Sequence, residues 1–202
     1  MQNILYFNTI FQYVELILQL KDGKIIEKRI ENSKQSEILV YSIKTMLQEN
    51  NLEYSDIDVF TSITGPGNFT GIKTSLAVLK ALSITTNAKI ITCSVFDILS
   101  FNLNYDMIIL AMNGIKCYIK ENDEYYTIYK KDLNNFLLNK KKKKILTNIK
   151  EVAGKNIVFS DFSNKKWVDL VNYKAKNNEF TQDIEALYIE EAGITKRKNK
   201  IT

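Results

Sequence analysis

With 202 residues, 45% of them hydrophobic and 25% charged, the chain can bury one core or two lobes of roughly 100 residues each, and its composition argues against disorder. Lys and Arg number 28 against 23 Asp and Glu, but the lysines are scattered among Asn and Ile, so the net +5 predicts an acidic partner only if the charges converge on one face. The absence of histidine and the presence of just two cysteines, Cys93 and Cys117, exclude histidine acid–base chemistry, a histidine-built zinc site and a disulfide framework, leaving carboxylates, lysines and hydroxyls for any reaction.

In chain order, "ILYFNT" (4–9), "YVELILQL" (13–20) and "KIIEKRI" (24–30) read as three strands, the last two joined by an Asp22-Gly23 hairpin turn. A helical period follows from Ser36 to Glu49, with Leu39, Val40, Ile43, Met46 and Leu47 on one apolar arc and Ile38 and Tyr41 outside it. "IDVFTSI" (57–63) is the fourth strand, a second helix capped by Thr70 runs to about Ile84, "KIITC" (89–93) is the fifth strand, and a helix follows from Val95. This β-β-β-α-β-α-β-α order is that of one lobe of the actin-like ATPases, in which two such lobes clasp a nucleotide.

The second half reads as another meander over "DMIILAM" (106–112), "KCYIKE" (116–121) and "YYTIYK" (125–130), then a short helix (131–138) and a strand "NIVFSD" (156–161). Helical segments are expected over 165–175 and 183–193. The expected organisation is an N-terminal actin-like lobe over residues 1–100 and a shorter C-terminal lobe with a basic tail over 101–202. No apolar run approaches the roughly 20 residues of a membrane span, and "MQNILYFNT" lacks the basic region of a secretory signal, so a cytoplasmic location is expected.

Between the fourth strand and the second helix lies "SITGPGNFTGIK" (62–73), which holds the only proline and three of the seven glycines. A P-loop needs Gly-x-x-x-x-Gly-Lys-Ser/Thr; the spacing here differs, and Pro66 lacks the amide that an anion nest uses. A strand-to-helix turn is the preferred reading, with the free amides after Thr70 left as an anion site. The stretch resembles the Gly-Pro-Gly-Ser-Phe-Thr-Gly-x-Arg signature of the TsaB family, the companion subunit in making N6-threonylcarbamoyladenosine next to the anticodon of tRNA. Gly65, Pro66, Gly67, Phe69, Thr70 and Gly71 match the pattern, while Asn68 stands for Ser and Lys73 for Arg.

Flanking stretches resemble the family in position. "ILYFNT" is similar to its Ile-Leu-x-Ile-Asp-Thr strand with Asn8 for Asp, and "QSEIL" (35–39) to its His-Ser-Glu-x-Leu helix start with Gln35 for His. "LAMNGIKCY" (110–118) is a shortened form of its Ile-Asp-Ala-Arg turn, and "ALYIEE" (186–191) stands where the family has Pro-x-Tyr-Leu-Arg. The resemblance implies an actin-like, ribonuclease H-like α/β fold of two lobes. It implies an inactive paralogue of TsaD, with no catalytic, cofactor or metal residues, that supports TsaD in modifying tRNAs reading codons that start with A. The implied partners are a TsaD-like subunit in a heterodimer, a TsaE-like ATPase through the complex and tRNA indirectly, with a homodimer as an alternative when the chain is alone.

On the second helix Ile72, Leu76, Val78, Leu79 and Leu82 form the arc expected to face the sheet. Thr70, Thr74, Ala77 and Ala81 form a stripe of small residues that admits a close helix neighbour, either the first helix of the same lobe or a partner. Under the resemblance Ile38, Tyr41, Thr74, Ala77 and Ala81 are the expected partner surface. The run Lys140–Lys144 and the tail "KRKNK" (196–200) read as solvated segments, with tRNA phosphate contact as the second reading. Tyr125, Tyr126 and Tyr129 read as a strand face, with base stacking second. Two rival functions remain open at this point: an actin-like or sugar-kinase-type ATPase, and a stand-alone tRNA-binding protein.

Overall fold

The Asp22-Gly23 turn closes as expected. Gly23 takes φ +90°, the side chain of Asp22 accepts from the Lys24 amide at 2.9 Å, and the strands on either side pair antiparallel from Gln19↔Ile25 to Tyr13↔Glu31. The computed structural model describes residues 1–11, 13–31, 34–112, 114–140 and 143–189. In it β1 (Ile4–Asn8), β2 (Tyr13–Gln19) and β3 (Ile25–Glu31) form the expected meander. After α1 (Gln35–Glu49), β4 (Val59–Ile63) joins parallel to β1. After α2 (Phe69–Thr85), β5 (Lys89–Cys93) joins parallel to β4, for a sheet order β3-β2-β1-β4-β5.

The short helix α3 (Val95–Ser100) follows, closed by a capping box in which Ser94 and Asp97 satisfy each other's amides. A second meander of β6 (Met107–Ala111), β7 (Lys116–Glu121) and β8 (Glu124–Tyr129) leads into α4 (Leu133–Leu138), β9 (Ile145–Thr147), β10 (Ile157–Phe159) and α5 (Asn164–Lys176). The second sheet runs β8-β7-β6-β9-β10, the strand order of the first repeated, with β9 and β10 parallel to β6 and to each other respectively. β9 was not foreseen in the sequence. The expected helix over 183–193 is not helical through Ile189; there the Leu187 amide donates to the Thr64 carbonyl at 2.9 Å, and the remainder lies outside the described residues. No helix of the described residues is long and apolar enough to cross a membrane.

Burial follows strand alternation. On β6, Ile108 and Leu110 join the large core that contains the first sheet, α3 and α5, while Met107 and Ile109 join a smaller core with Cys117, Ile119 and Leu133 of α4. Residue 100, the expected end of the N-terminal lobe, is the last of α3, and α5, from the expected C-terminal lobe, returns to the core of the first sheet. Trp167, the only tryptophan, is fully buried there with its ring edge-on to Tyr6 at 5.3 Å. Polar fastenings accompany it: Gln19 and Asn172 exchange amide hydrogen bonds of 2.9 and 3.0 Å, and Asn164 donates to Glu15 at 2.9 Å. Burial raises the Glu15 carboxyl above its usual range against that hydrogen bond.

Two helical expectations need correction. Val40, placed on the core arc of α1, is 54% exposed, and Ser42 is buried in its stead. The buried stripe of α1 is Leu39, Ser42, Ile43, Met46 and Leu47, and Val40 stands at its edge, where it lines the groove beside α2. The cap of α2 is Asn68, not Thr70: its side chain accepts from the amides of Thr70 and Gly71 at 3.0 and 3.3 Å, and the helix starts one residue before Thr70. Val78 and Leu82 of the α2 arc are half-buried, while Ile72, Leu76 and Leu79 are in the core.

The first turn of α2 lies directly on the β1–β2 loop. A Cβ at Gly71 would sit 1.9 Å from the Thr9 carbonyl oxygen, closer than any side chain can be accommodated without moving backbone. Thr9 Oγ1 donates to the Gly71 carbonyl at 2.7 Å, and the Asn68 amide donates to the Ile10 carbonyl at 3.0 Å. Gly71→Ala is therefore expected to lower stability by about 2 kcal/mol or more through backbone displacement; an unchanged urea midpoint would show that the loop does not seat the helix. Truncating Trp167→Ala should cost about 3–5 kcal/mol in the same denaturation followed by circular dichroism, and a loss below about 1 kcal/mol would refute the anchoring role of α5.

Candidate functional site: the glycine elbow, the interlobe cleft and the face of α1 and α2

The elbow from Thr64 to Gly71 is held by its own chain. Thr64 donates from its amide to Cys93 O at 2.9 Å, and the Val95 amide donates to Gly65 O at 2.8 Å. Gly65 has φ +121°, where a side chain is strained, and a Cβ on it would meet the Leu187 carbonyl at 2.9 Å. The bond from Gly65 to Pro66 is cis. Phe69 packs against Tyr188 with ring centroids 4.9 Å apart, and Lys73 places its ammonium 4.3 Å over the Phe69 ring. With the Asn68 carboxamide oxygen on the amides of Thr70 and Gly71, the position where a phosphate would meet the helix N-terminus is taken by a side chain of the protein.

Three departures from the TsaB-like pattern meet at the β1–β2 loop. Asn8 is fully buried at the end of β1 and its Oδ1 accepts from the Ile10 amide at 3.3 Å. Gln35, at the start of α1, donates from Nε2 to the Phe11 carbonyl at 3.0 Å, and Asn68 holds Ile10 through its backbone. The sequence presents these as isolated substitutions; only the fold shows that they fasten one loop. Asn8 Nδ2 has no protein partner among the described residues.

Beside this loop a cleft of about 440 Å³ opens between the lobes. Phe11 from the first lobe meets Phe162 from the second, with ring centroids 5.0 Å apart, and Ile10 and Met112 add to the apolar lining. Asn148 is turned onto the backbone of Ala111, accepting from its amide and donating to its carbonyl at 2.8 Å each. The one charged residue among the described lining is Asp161. Among the described lining residues a phosphate placed here would meet no lysine or arginine. Cys93, next to the elbow, has its thiol pushed up to about 12 by burial, so it is an inert core group at neutral pH.

On the other side of the first sheet, α1 and α2 carry the residues expected to meet a partner. Tyr41 is 72% exposed; Ala77 and Ala81 are exposed, and Ile38 and Thr74 are half-buried. Ala81 lines a groove of about 1080 Å³ whose walls come from Val40 and Ile43 on α1 and Val78 and Ile84 on α2. Val40 and Ile84, the latter 80% exposed, were missed by the sequence reading. A signal existed for Ile84, which falls off the apolar arc of its helix, but none for Val40, which falls on it.

Of the basic segments, Lys140, Lys143 and Lys144 surround α4 and β9, while Lys141, Lys142 and the tail 196–200 lie outside the described residues. Tyr126 faces inward, edge-on to Phe136 and donating to Glu121 at 2.8 Å; Tyr125 and Tyr129 point to the opposite, exposed side.

Residues 28–142 match the family model described as TsaD: tRNA N6-adenosine threonylcarbamoyltransferase, which is more than half of the chain. No curated protein matches the sequence. Among solved structures, the chain is similar to an uncharacterized protein with similarity to peptidase YeaZ from Pseudomonas aeruginosa, with a TM-score of 0.68 at 12% identity over 94% of this chain and 100% of that one. It is also similar to YeaZ from Pseudomonas aeruginosa, with a TM-score of 0.65 at 11% identity over 93% of this chain and 100% of that one. At such identities the likeness is one of fold, and the fold is the two-lobed, actin-like α/β arrangement. The chain therefore belongs to the TsaD family, that of tRNA N6-adenosine threonylcarbamoyltransferase, and within it carries a TsaB-like glycine elbow.

Proposed function

We propose that the chain is a non-catalytic companion subunit of the TsaB type, which binds a TsaD-like subunit through α1 and α2 and supports it in forming N6-threonylcarbamoyladenosine in tRNAs that read codons starting with A. The observation that carries this reading is the contrast between the two faces of the first sheet. On the cleft side Asn68 caps the helix amides and the described lining holds no lysine or arginine, whereas the outer side presents a groove lined by exposed Val40 and Ile84, with exposed Tyr41 on the same helix as Val40. Large apolar side chains left in water around a groove are what a helical partner would cover.

A standard specific interface buries about 1,200–2,000 Å² in total, which two helices on each side can supply. The small side chains of Thr74, Ala77 and Ala81 let a partner helix come close to α2. When the partner is absent, the same groove is open to a second copy of the chain. A TsaE-like ATPase joins through the complex, and the assembly works in the cytoplasm.

Co-expression with the TsaD-type subunit of the same genome, followed by size-exclusion chromatography and an assay of modified tRNA, tests the proposal. Wild type is expected to co-elute and to support modification, with no ATP turnover by the isolated chain. Tyr41→Glu and Ala77→Trp should weaken co-elution at least tenfold while leaving the far-ultraviolet circular dichroism unchanged. Both variants at wild-type level would remove this surface from consideration, and ATP hydrolysis above background, abolished by changing Asp161, would overturn the non-catalytic assignment.

A further inference from the structure

Because the two lobes repeat one strand order, the second lobe has a counterpart of the α1–α2 groove. In the first lobe α1 precedes β4 and α2 connects β4 to β5; in the second, α4 precedes β9, and residues 148–156 connect β9 to β10 without a helix. Between α4 and this connection lies a groove of about 540 Å³, floored by Leu137, Ile145 and Ile157 and rimmed by Lys140, Lys143 and Lys155. Lys144 and Lys155 line an adjoining hollow of about 250 Å³. The two grooves differ in charge: the first-lobe groove has Glu53, Asp58 and Lys89 among its lining, whereas this one has three lysines and no acidic residue among the described lining.

The sequence segment that includes this groove is basic: residues 130–166 contain eleven lysines and three acidic residues, a net +8 in a chain whose total is +5, and four of these lysines line the groove and its adjoining hollow. Glu121 neutralises part of the rim, at 2.9 Å from Lys140 and 3.6 Å from Lys143; the hydrogen bond from Lys140 holds its carboxyl below the usual range. Asp106 accepts from the backbone amide of Lys144 at 2.8 Å. The ammonium groups of Lys144, Lys150 and Lys155 form no ion pair among the described residues. One exposed aromatic ring lies near these lysines: Phe159 of the edge strand β10, 45% exposed, is 5.9 Å from the ammonium of Lys150 on the β9–β10 connection.

We propose that this lysine-rimmed groove between α4 and the β9–β10 connection binds the phosphate backbone of RNA directly, so that the chain holds tRNA with its second lobe while its first lobe holds the partner subunit. The choice of RNA as the polyanion rests on the tRNA-modification reading above. It is favoured over an acidic protein by the exposed Phe159 ring beside Lys150, since lysines neutralise successive phosphates and a ring accepts an unstacked base. Binding of this kind is independent of sequence and steeply dependent on salt. The groove shares no lining residue with the α1–α2 groove, so the two partners do not compete for one surface.

The test measures binding of a labelled tRNA transcript by fluorescence anisotropy at several salt concentrations, with the full chain alone and in complex with the TsaD-type subunit. Lys144→Glu combined with Lys155→Glu changes two exposed side chains, and Lys24→Glu in the β2–β3 turn is a charge-reversal control away from the groove. The double variant is expected to bind at least tenfold more weakly and to lower the slope of log K against log salt by roughly 1.4–1.8, at about 0.7–0.9 per lost phosphate contact; Lys24→Glu should change the slope by less than half a unit. Equal affinity and slope for wild type and the double variant would overturn the proposal, and with complex formation intact would leave the companion-subunit reading standing. Failure to form the complex counts against that reading alone, because the measurement on the isolated chain still decides the groove. Displacement of tRNA by polyglutamate as effectively as by unlabelled tRNA would assign the groove to an acidic protein and overturn the choice of RNA.

Discussion

The approach of Gly71 to the carbonyl of Thr9 is the constraint on which the first lobe depends. It puts backbone against backbone, without room for a side chain, at the junction of the β1–β2 loop and the first turn of α2. Once α2 is seated there its axis is fixed relative to the sheet, and with it the direction in which Thr74, Ala77 and Ala81 face. The same contact holds the β1–β2 loop against the first turn of α2. Asn8, Gln35 and Asn68 reinforce it with hydrogen bonds to Ile10, Phe11 and the helix amides.

The two lobes share a strand order but differ in what covers them. The first sheet has a 17-residue helix between its last two strands, whereas the second has only loop in the same place. A missing helix leaves the outer face of β9 and β10 less covered, and the chain places lysines there where the first lobe places apolar side chains. One repeated strand order therefore carries two grooves that differ in charge, one with Glu53, Asp58 and Lys89 and the other with Lys140, Lys143 and Lys155. Burial of apolar area favours a protein partner on one, and release of counterions favours a polyanion on the other.

Much of the fold was legible because local signals and tertiary demands agree in the first hundred residues. Period-two strands, the Asp22-Gly23 turn and the glycine elbow each indicate one structure, and all are found. Legibility falls where an element is short or its burial is set by distant chain. β9 has three residues directly after a lysine run, too few to show a period, and owes its existence to the parallel neighbours β6 and β10. Residues 183–189 look helical by composition but are claimed by the backbone of Thr64. Thr70 and Asn68 are both acceptable caps by residue type, and the requirement that Gly71 fall against Thr9 decides for Asn68. In the site, the elbow residues were visible as a motif, while the convergence of Asn8 and Gln35 on one loop depends on strand and helix ends 27 residues apart in sequence and could not be seen.

The placement of α5 bears on whether the lobes can work as a clasp. Enzymes that close around a ligand need a hinge with few contacts across it. Here Ile108 and Leu110 of the second sheet share a core with Trp167 of α5, with α3 and with the first sheet, and Phe11 meets Phe162 across the cleft itself. Opening the cleft would expose these side chains to water, each at about 1.5–3 kcal/mol. A chain built in this way keeps its two lobes in a constant relation, so the surfaces they carry stay at a set distance and angle. That rigidity suits a subunit whose contribution is to position other molecules.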